Sequence, residues 1–243
     1  MRKYDFILPL GSTCVTAHNL RKNGLQKESL PFDWIWIPSL STITEFFNDG
    51  FTSFFRKENL QFVRNNGDAD IYKDTSNHTE FWHDFMVGKN FDEIYPKIKN
   101  KYHRRIIRAY EYIDKADSIL LFRTVKIREK RNKNDDHLFA ETKMQTHDLI
   151  DDLKALQRLF PNKKIELLLI YLYCNKHEFL EYDINHDIHI CEMYNDEGFG
   201  WKGNEQQIAA VLQKYGLTYK GKLRYLINTV KFKLSKLLNV KHK

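Results

Sequence analysis

Apolar positions run from Tyr4 to Leu10 and then stop at Gly11-Ser12-Thr13. This predicts a first strand, followed by a helix over Val15 to Lys22. The next periodic stretch, Ser39 to Phe47, predicts a short helix capped by Ser39 or Ser41. Leu60 to Arg64 and Ala69 to Tyr72 flank Asn65-Asn66-Gly67-Asp68, and Asn-Gly accepts the positive φ of a tight hairpin turn. Asp74 to Asp84 is polar and carries histidines, which predicts a loop.

From Phe91 to Ala116, Ile94, Ile98, Ile106, Ile107, Tyr110 and Ile113 fall at helical spacing. Pro96 lies near the start, where a helix tolerates it. Ser118 to Val125 is a strand, and its continuous apolar character over Ile119 to Phe122 predicts burial on both faces. Lys126 to Asp136 is a charge-rich loop, and Leu138 to Phe160 returns to helix. Ile165 to Tyr173 is the most strand-like run, Asp187 to Met193 a weaker strand, Asn195 to Gly203 a turn-rich loop holding Trp201, and Glu205 to Tyr215 a last body helix. This rhythm predicts one α/β domain over 1–218, with a mostly parallel sheet and helices on both faces. Sites in such sheets form beyond the carboxyl ends of the strands, where Cys14 and Arg123 both fall.

Charge separates the tail from the body. Residues 219–243 hold eight basic residues and no acid, so the rest of this chain of net charge +7 carries −1. A nucleic-acid partner for the whole domain is therefore not expected. Leu223, Leu226, Ile227, Val230, Leu234, Leu237 and Leu238 recur at helical spacing among those lysines. They predict a C-terminal basic amphipathic helix able to lie on an anionic membrane surface. Neither a secretory signal nor a membrane span is predicted, which points to a cytoplasmic protein, peripheral at most at the inner membrane face. Three cysteines without a CxxC pair argue against a disulfide framework. His186 and His189 near Asp183 and Asp187 lack a metal-ligand pattern, so no metal and no cofactor is expected.

The chemistry centres on Cys14, at or beside a helix N-terminus. Unpaired backbone N–H groups there favour an anion, lower a thiol pKa and can hold an oxyanion. Leu10-Gly11-x-x-Cys14-x-x-Ala17-x-x-Leu20-Arg21, followed by Ser29-Leu30-Pro31-Phe32-Asp33-Trp34, resembles a bacterial family of unknown function described as papain-like cysteine peptidases. Phe81-Trp82-His83-Asp84-Phe85, Arg104-Arg105 and Leu121-Phe122-Arg123 extend the resemblance over most of residues 4–210. It implies a thiol nucleophile at Cys14. A papain-like domain would set that cysteine on a helix against an antiparallel barrel, whereas the pattern here predicts a parallel sheet.

A thiol nucleophile needs a base oriented by a second group. His83 is the candidate base, with Asp84 or Asp33 orienting it. His18, one turn after Cys14, reads as a packing or surface residue. Arg21 and Arg123 suit an anionic substrate, with Ser12 and Trp34 beside them. The expected function is a thiol-dependent hydrolase or acyl transferase acting on a small molecule or glycan. The alternatives are a membrane-associated transferase of bacterial capsule or surface polysaccharide, also implied by the resemblance, and a non-catalytic binding domain.

Overall fold

A computed structural model describes residues 1–127 and 143–240. The first apolar run is two strands rather than one. Asp5 interrupts it, leaving β1 (Arg2–Tyr4) and β2 (Phe6–Pro9) in different sheets. The helix α1 (Cys14–Lys22) follows, then β3 (Ile35–Trp36), α2 (Leu40–Asn48), β4 (Leu60–Asn65), β5 (Ala69–Asp74) and β6 (Glu80–Met86). The second half contains α3 (Phe91–Lys115), β7 (Ser118–Ile127), α4 (Thr146–Leu159), β8 (Lys164–Tyr173), β9 (Leu180–Ile184) and β10 (Ile188–Tyr194). It closes with α5 (Glu205–Leu212), β11 (Tyr215–Leu217) and α6 (Tyr219–Val240).

The central sheet has five strands in the order β2-β7-β8-β10-β9. Every pair is parallel except β10 with β9. Its middle strands are continuous apolar runs because they are covered on both sides; Leu167 to Leu172 are all buried. A second, antiparallel sheet, β3-β6-β5-β4, stands beside it, and β1 pairs with β11 in a small parallel ladder. Phe81 of β6 and Tyr102 on the helix α3 join Phe54 and Phe55 in an aromatic layer with centroid separations of 4.7 to 6.3 Å. Such ring contacts add about 0.5–1.5 kcal/mol each beyond the area they bury.

The mixed α/β class and the mostly parallel central sheet agree with the sequence expectation, as does the hairpin at Asn66-Gly67, where Gly67 has φ +94°. Several elements differ. The expected loop over Asp74 to Asp84 contains most of β6, because Phe81 and Phe85 turn into the aromatic layer while Trp82, His83 and Asp84 stay at least partly accessible. The strand β7 runs on through Lys126 and Ile127, and the remainder of the expected charged loop lies outside the described residues. The start of the helix expected from Leu138 lies there too; its described part is α4. The last body helix ends at Leu212, since Tyr215 to Leu217 pair with β1. The antiparallel strand β9 was not expected: its alternation is Leu180, Tyr182 and Ile184 on one half-buried side only.

Candidate active site

Strand β2 ends at Pro9, and the chain must turn sharply to start α1. Gly11 makes this possible with φ +74°, in the left-handed region that glycine enters without a Cβ penalty. The turn is bound to the neighbouring strand from both sides. Ser12 N–H donates to the Thr124 carbonyl at 2.9 Å and Thr124 N–H to the Gly11 carbonyl at 3.0 Å. Thr16 Oγ1 bonds to the Gly11 carbonyl and lies 2.7 Å from Thr124 Oγ1. Cys14 is thereby fixed as the first residue of α1, at the carboxyl edge of the central sheet.

The N-cap Thr13 makes no side-chain cap, so the first N–H groups of α1 remain for the cysteine. Burial pushes the Cys14 thiol above its ordinary value, against the pull of Lys126 and of the N–H groups of Cys14 and Val15. This corrects the expectation of a lowered thiol pKa: at a half-buried sulfur desolvation outweighs the helix terminus. The other two cysteines bracket it. Cys174 is exposed, and Cys191 is buried with its thiol pushed up to about 12.

The wall opposite comes from the segment after β10. Residues 197–202 form a short 3-10 turn against α1, tied by Asn19 Nδ2 to the Lys202 carbonyl at 3.0 Å and by Lys126 Nζ to the Gly200 carbonyl at 3.2 Å. Trp201 on this turn meets the His18 ring edge-on at 4.9 Å and the Trp34 ring at 6.3 Å. His18 Nε2 lies 2.6 Å from Glu205 Oε1, at the start of α5, and Lys22 Nζ reaches the same oxygen at 2.9 Å. Hydrogen bonds from His18 and then Lys22 hold the Glu205 carboxyl below its ordinary range.

Of the residues expected to form the site, some line this edge and others support it from within. Trp34 is on it, at a backbone φ of +66°, which costs a bulky residue about 1–3 kcal/mol. It is held there by its neighbour. The buried Asp33 carboxylate accepts from Gln26 Nε2 at 2.8 Å, Arg21 Nη2 at 3.0 Å and Leu30 N–H at 3.1 Å, and Arg21 then lies 5.3 Å from the Trp34 ring centre. His83 is exposed on β6 with its ring 6.4 Å from Trp34. Partial desolvation of the ring, then Lys101, lowers its pKa.

No hydrogen bond among the described residues joins His83 to Cys14, Asp33 or Asp84. Neighbouring strand residues point to opposite faces, and Asp84 is taken by Lys101 and Tyr102. Asp33 is committed to Gln26, Arg21 and the Leu30 N–H. Neither carboxylate therefore orients His83 here. Ser12 and Arg123, expected to bind substrate, are internal, at 0% and 1% exposure. Arg123 donates to the carbonyls of Leu10 at 2.7 Å, Ile37 at 2.9 Å and Pro38 at 3.3 Å. A guanidinium suits three convergent carbonyls as well as it suits a carboxylate, and sequence does not separate the two. The residues that sequence reasoning passed over are Lys126, Trp201 and Glu205. His18 was noted, but its carboxylate partner lies 187 residues away, with no local signal.

Residues 5–154 match the family described as "Putative papain-like cysteine peptidase (DUF1796)". The chain belongs to that family. The matched stretch contains Cys14, His18, Asp33, His83 and Lys126, while Trp201 and Glu205 lie beyond it. An uncharacterised protein of Acanthamoeba polyphaga mimivirus is 33% identical over 140 residues, 51% of this chain and 63% of that protein. That relative is viral, so it does not carry the bacterial origin expected of the family resemblance. No solved structure matches the chain. Around Cys14 the family's papain-like description meets a parallel sheet rather than an antiparallel barrel.

Proposed function

We propose that the chain is a thiol-dependent hydrolase in which Cys14 is the nucleophile, His18 the base and Glu205 the group that orients the base. The observation that carries this reading is that Cys14 and His18 stand one turn apart on α1 while His18 holds a carboxylate on its Nε2. Residues four apart share a helix face, which sets His18 on the side of α1 that carries Cys14, and no hydrogen bond among the described residues occupies its Nδ1 or yet joins it to the thiol. Because burial keeps the Cys14 proton on, the thiol needs a base at the moment of attack.

In the proposed cycle Cys14 Sγ bonds to the substrate acyl carbon as its proton passes to His18 Nδ1. The N–H groups of Cys14 and Val15, with Lys126, face the developing oxyanion. The leaving group departs with that proton. Water, deprotonated by His18, then cleaves the thioester, releases the acid and restores the thiol. Trp34 and Trp201 form the aromatic side of the cleft, and Arg21 beside Trp34 favours a substrate carrying a negative charge near the scissile bond. His83 stands as the second candidate base on the far side of Trp34.

The test is turnover of p-nitrophenyl acetate in a Cys174→Ser background, which removes the exposed thiol. Cys14→Ala should abolish turnover, His18→Ala should lower it about 10²-fold or more, and Glu205→Gln about tenfold. His83→Ala should change it less than about threefold. Loss on His83→Ala with His18→Ala unaffected would transfer the base to His83. Unchanged turnover in Cys14→Ala would exclude a thiol mechanism. No observation on the described residues favours a glycan transferase or a non-catalytic binding domain.

A further inference from the structure

The helix α6 starts by docking on the body. Thr218 Oγ1 donates to Asp5 and accepts from Gly221 N–H at 3.1 Å. Gly221 packs so tightly that a Cβ there would come within 2.6 Å of the Asp5 carbonyl oxygen. One turn on, Tyr225 is buried, and Asn228 Nδ2 donates to Tyr112 Oη at 2.8 Å. Gly221, Tyr225 and Asn228 thus define the inward face.

The opposite face carries Leu223, Leu226, Ile227 and Val230, between 40% and 55% exposed. Their spacing of three, four and seven residues makes one stripe along the helix. An inward-facing stripe would be ordinary core; this one points away from the protein that holds the helix. On a helical wheel, Lys222 lies at one margin of the stripe and Lys220, whose Nζ is held by Asp117 of the body at 2.5 Å, at the other, and the helix belongs to a segment with eight basic residues and no acid. An apolar stripe between basic margins fits a surface that is apolar below and negatively charged above.

We propose that α6 docks the protein on an anionic lipid bilayer, with Leu223, Leu226, Ile227 and Val230 entering the headgroup–acyl boundary and basic side chains of the segment, Lys222 among them, meeting lipid phosphates. A second copy of the chain is the less favoured occupant, because facing two such helices would bring two all-basic segments together. Docking through this face leaves the inward face of α6 on the body undisturbed, and it does not depend on the chemistry proposed at Cys14.

The full-length protein would be sedimented with vesicles of phosphatidylcholine alone and of phosphatidylcholine with phosphatidylglycerol. Binding should be at least about tenfold tighter to the anionic vesicles, since each basic residue near such a surface contributes about 1 kcal/mol. It should weaken as salt shortens the screening length from about 10 Å toward about 3 Å. The double variant Leu226→Asp/Ile227→Asp should lose binding while keeping its thermal unfolding midpoint, because both side chains are exposed. Equal or absent binding to the two vesicle types would overturn the proposal. So would a stable dimer that the double variant converts to monomer.

Discussion

Arg123→Met should destabilise the fold by about 3–5 kcal/mol. The side chain is the largest fully buried one among the described residues, and its guanidinium serves the carbonyls of Leu10, Ile37 and Pro38. Methionine fills similar space but donates nothing. Each buried carbonyl left without a donor costs about 1–3 kcal/mol. The three carbonyls belong to the end of β2 and to the segment after β3, so their release also loosens the turn that sets Cys14. Urea unfolding measures the loss, and a midpoint within the error of the wild type would show that the carbonyls find other donors. Lysine should rescue only in part, because one ammonium cannot replace the planar fork.

Arg123 also shows where the sequence was readable. A charge after an apolar strand must meet a partner, and that was legible; whether the partner is substrate or backbone depends on segments 85 to 113 residues distant. The same division runs through the rest of the chain. Strand β8 announces itself because nine successive residues, Ile165 to Tyr173, share one burial requirement. The hairpin at Asn66-Gly67 does so because its turn chemistry is local. Strand β6 was hidden because the polar character of His83 and Asp84 between them masks the inward Phe81 and Phe85. At the site, Cys14 was legible from the strand–turn–helix pattern. Its environment was not: the desolvation of the thiol and the packing of Trp201 against His18 and Trp34 both come from chain packing at long range.

Acid should unfold the protein from below about pH 4.5, and two buried glutamates account for much of the loss. Burial raises the Glu166 carboxyl, but hydrogen bonds from His189, Lys164 and Tyr4 outweigh it and hold the group at about 2. At Glu192, Lys143, Lys176 and Tyr182 outweigh burial in the same way, again to about 2. Both values lie below the ordinary 4.5, so the unfolded chain binds more protons between these limits. The stabilisation is complete above the unfolded value and is lost as pH falls through the folded one. One pKa unit is about 1.36 kcal/mol, which makes the loss about 2 kcal/mol for each group by pH ~3.

His189 acts in the opposite direction. Burial lowers it, but Glu166 and Asp183 raise it above 6.5, so its contribution is present below 6.5 and fades as pH rises through the folded value. Because His189 and Glu166 share one hydrogen bond, they titrate as a unit and their contributions do not add. Maximum stability should therefore lie between about pH 4.5 and about 6.5. Urea midpoints from pH ~3 to pH ~8 check this. Glu192→Gln should remove about half of the acid dependence, and an unchanged acid limb would refute the assignment.

The catalytic reading is tested most directly by trapping the acyl-enzyme. The Cys174→Ser protein is mixed with p-nitrophenyl acetate, quenched in acid within the first turnover, and its peptides are read by mass spectrometry. An acetyl group on Cys14 that forms in the parent and is at least about tenfold slower in His18→Ala is the predicted result. Acetylation only of lysines, or of Cys14 at the same rate with and without His18, would contradict a Cys14–His18 hydrolase.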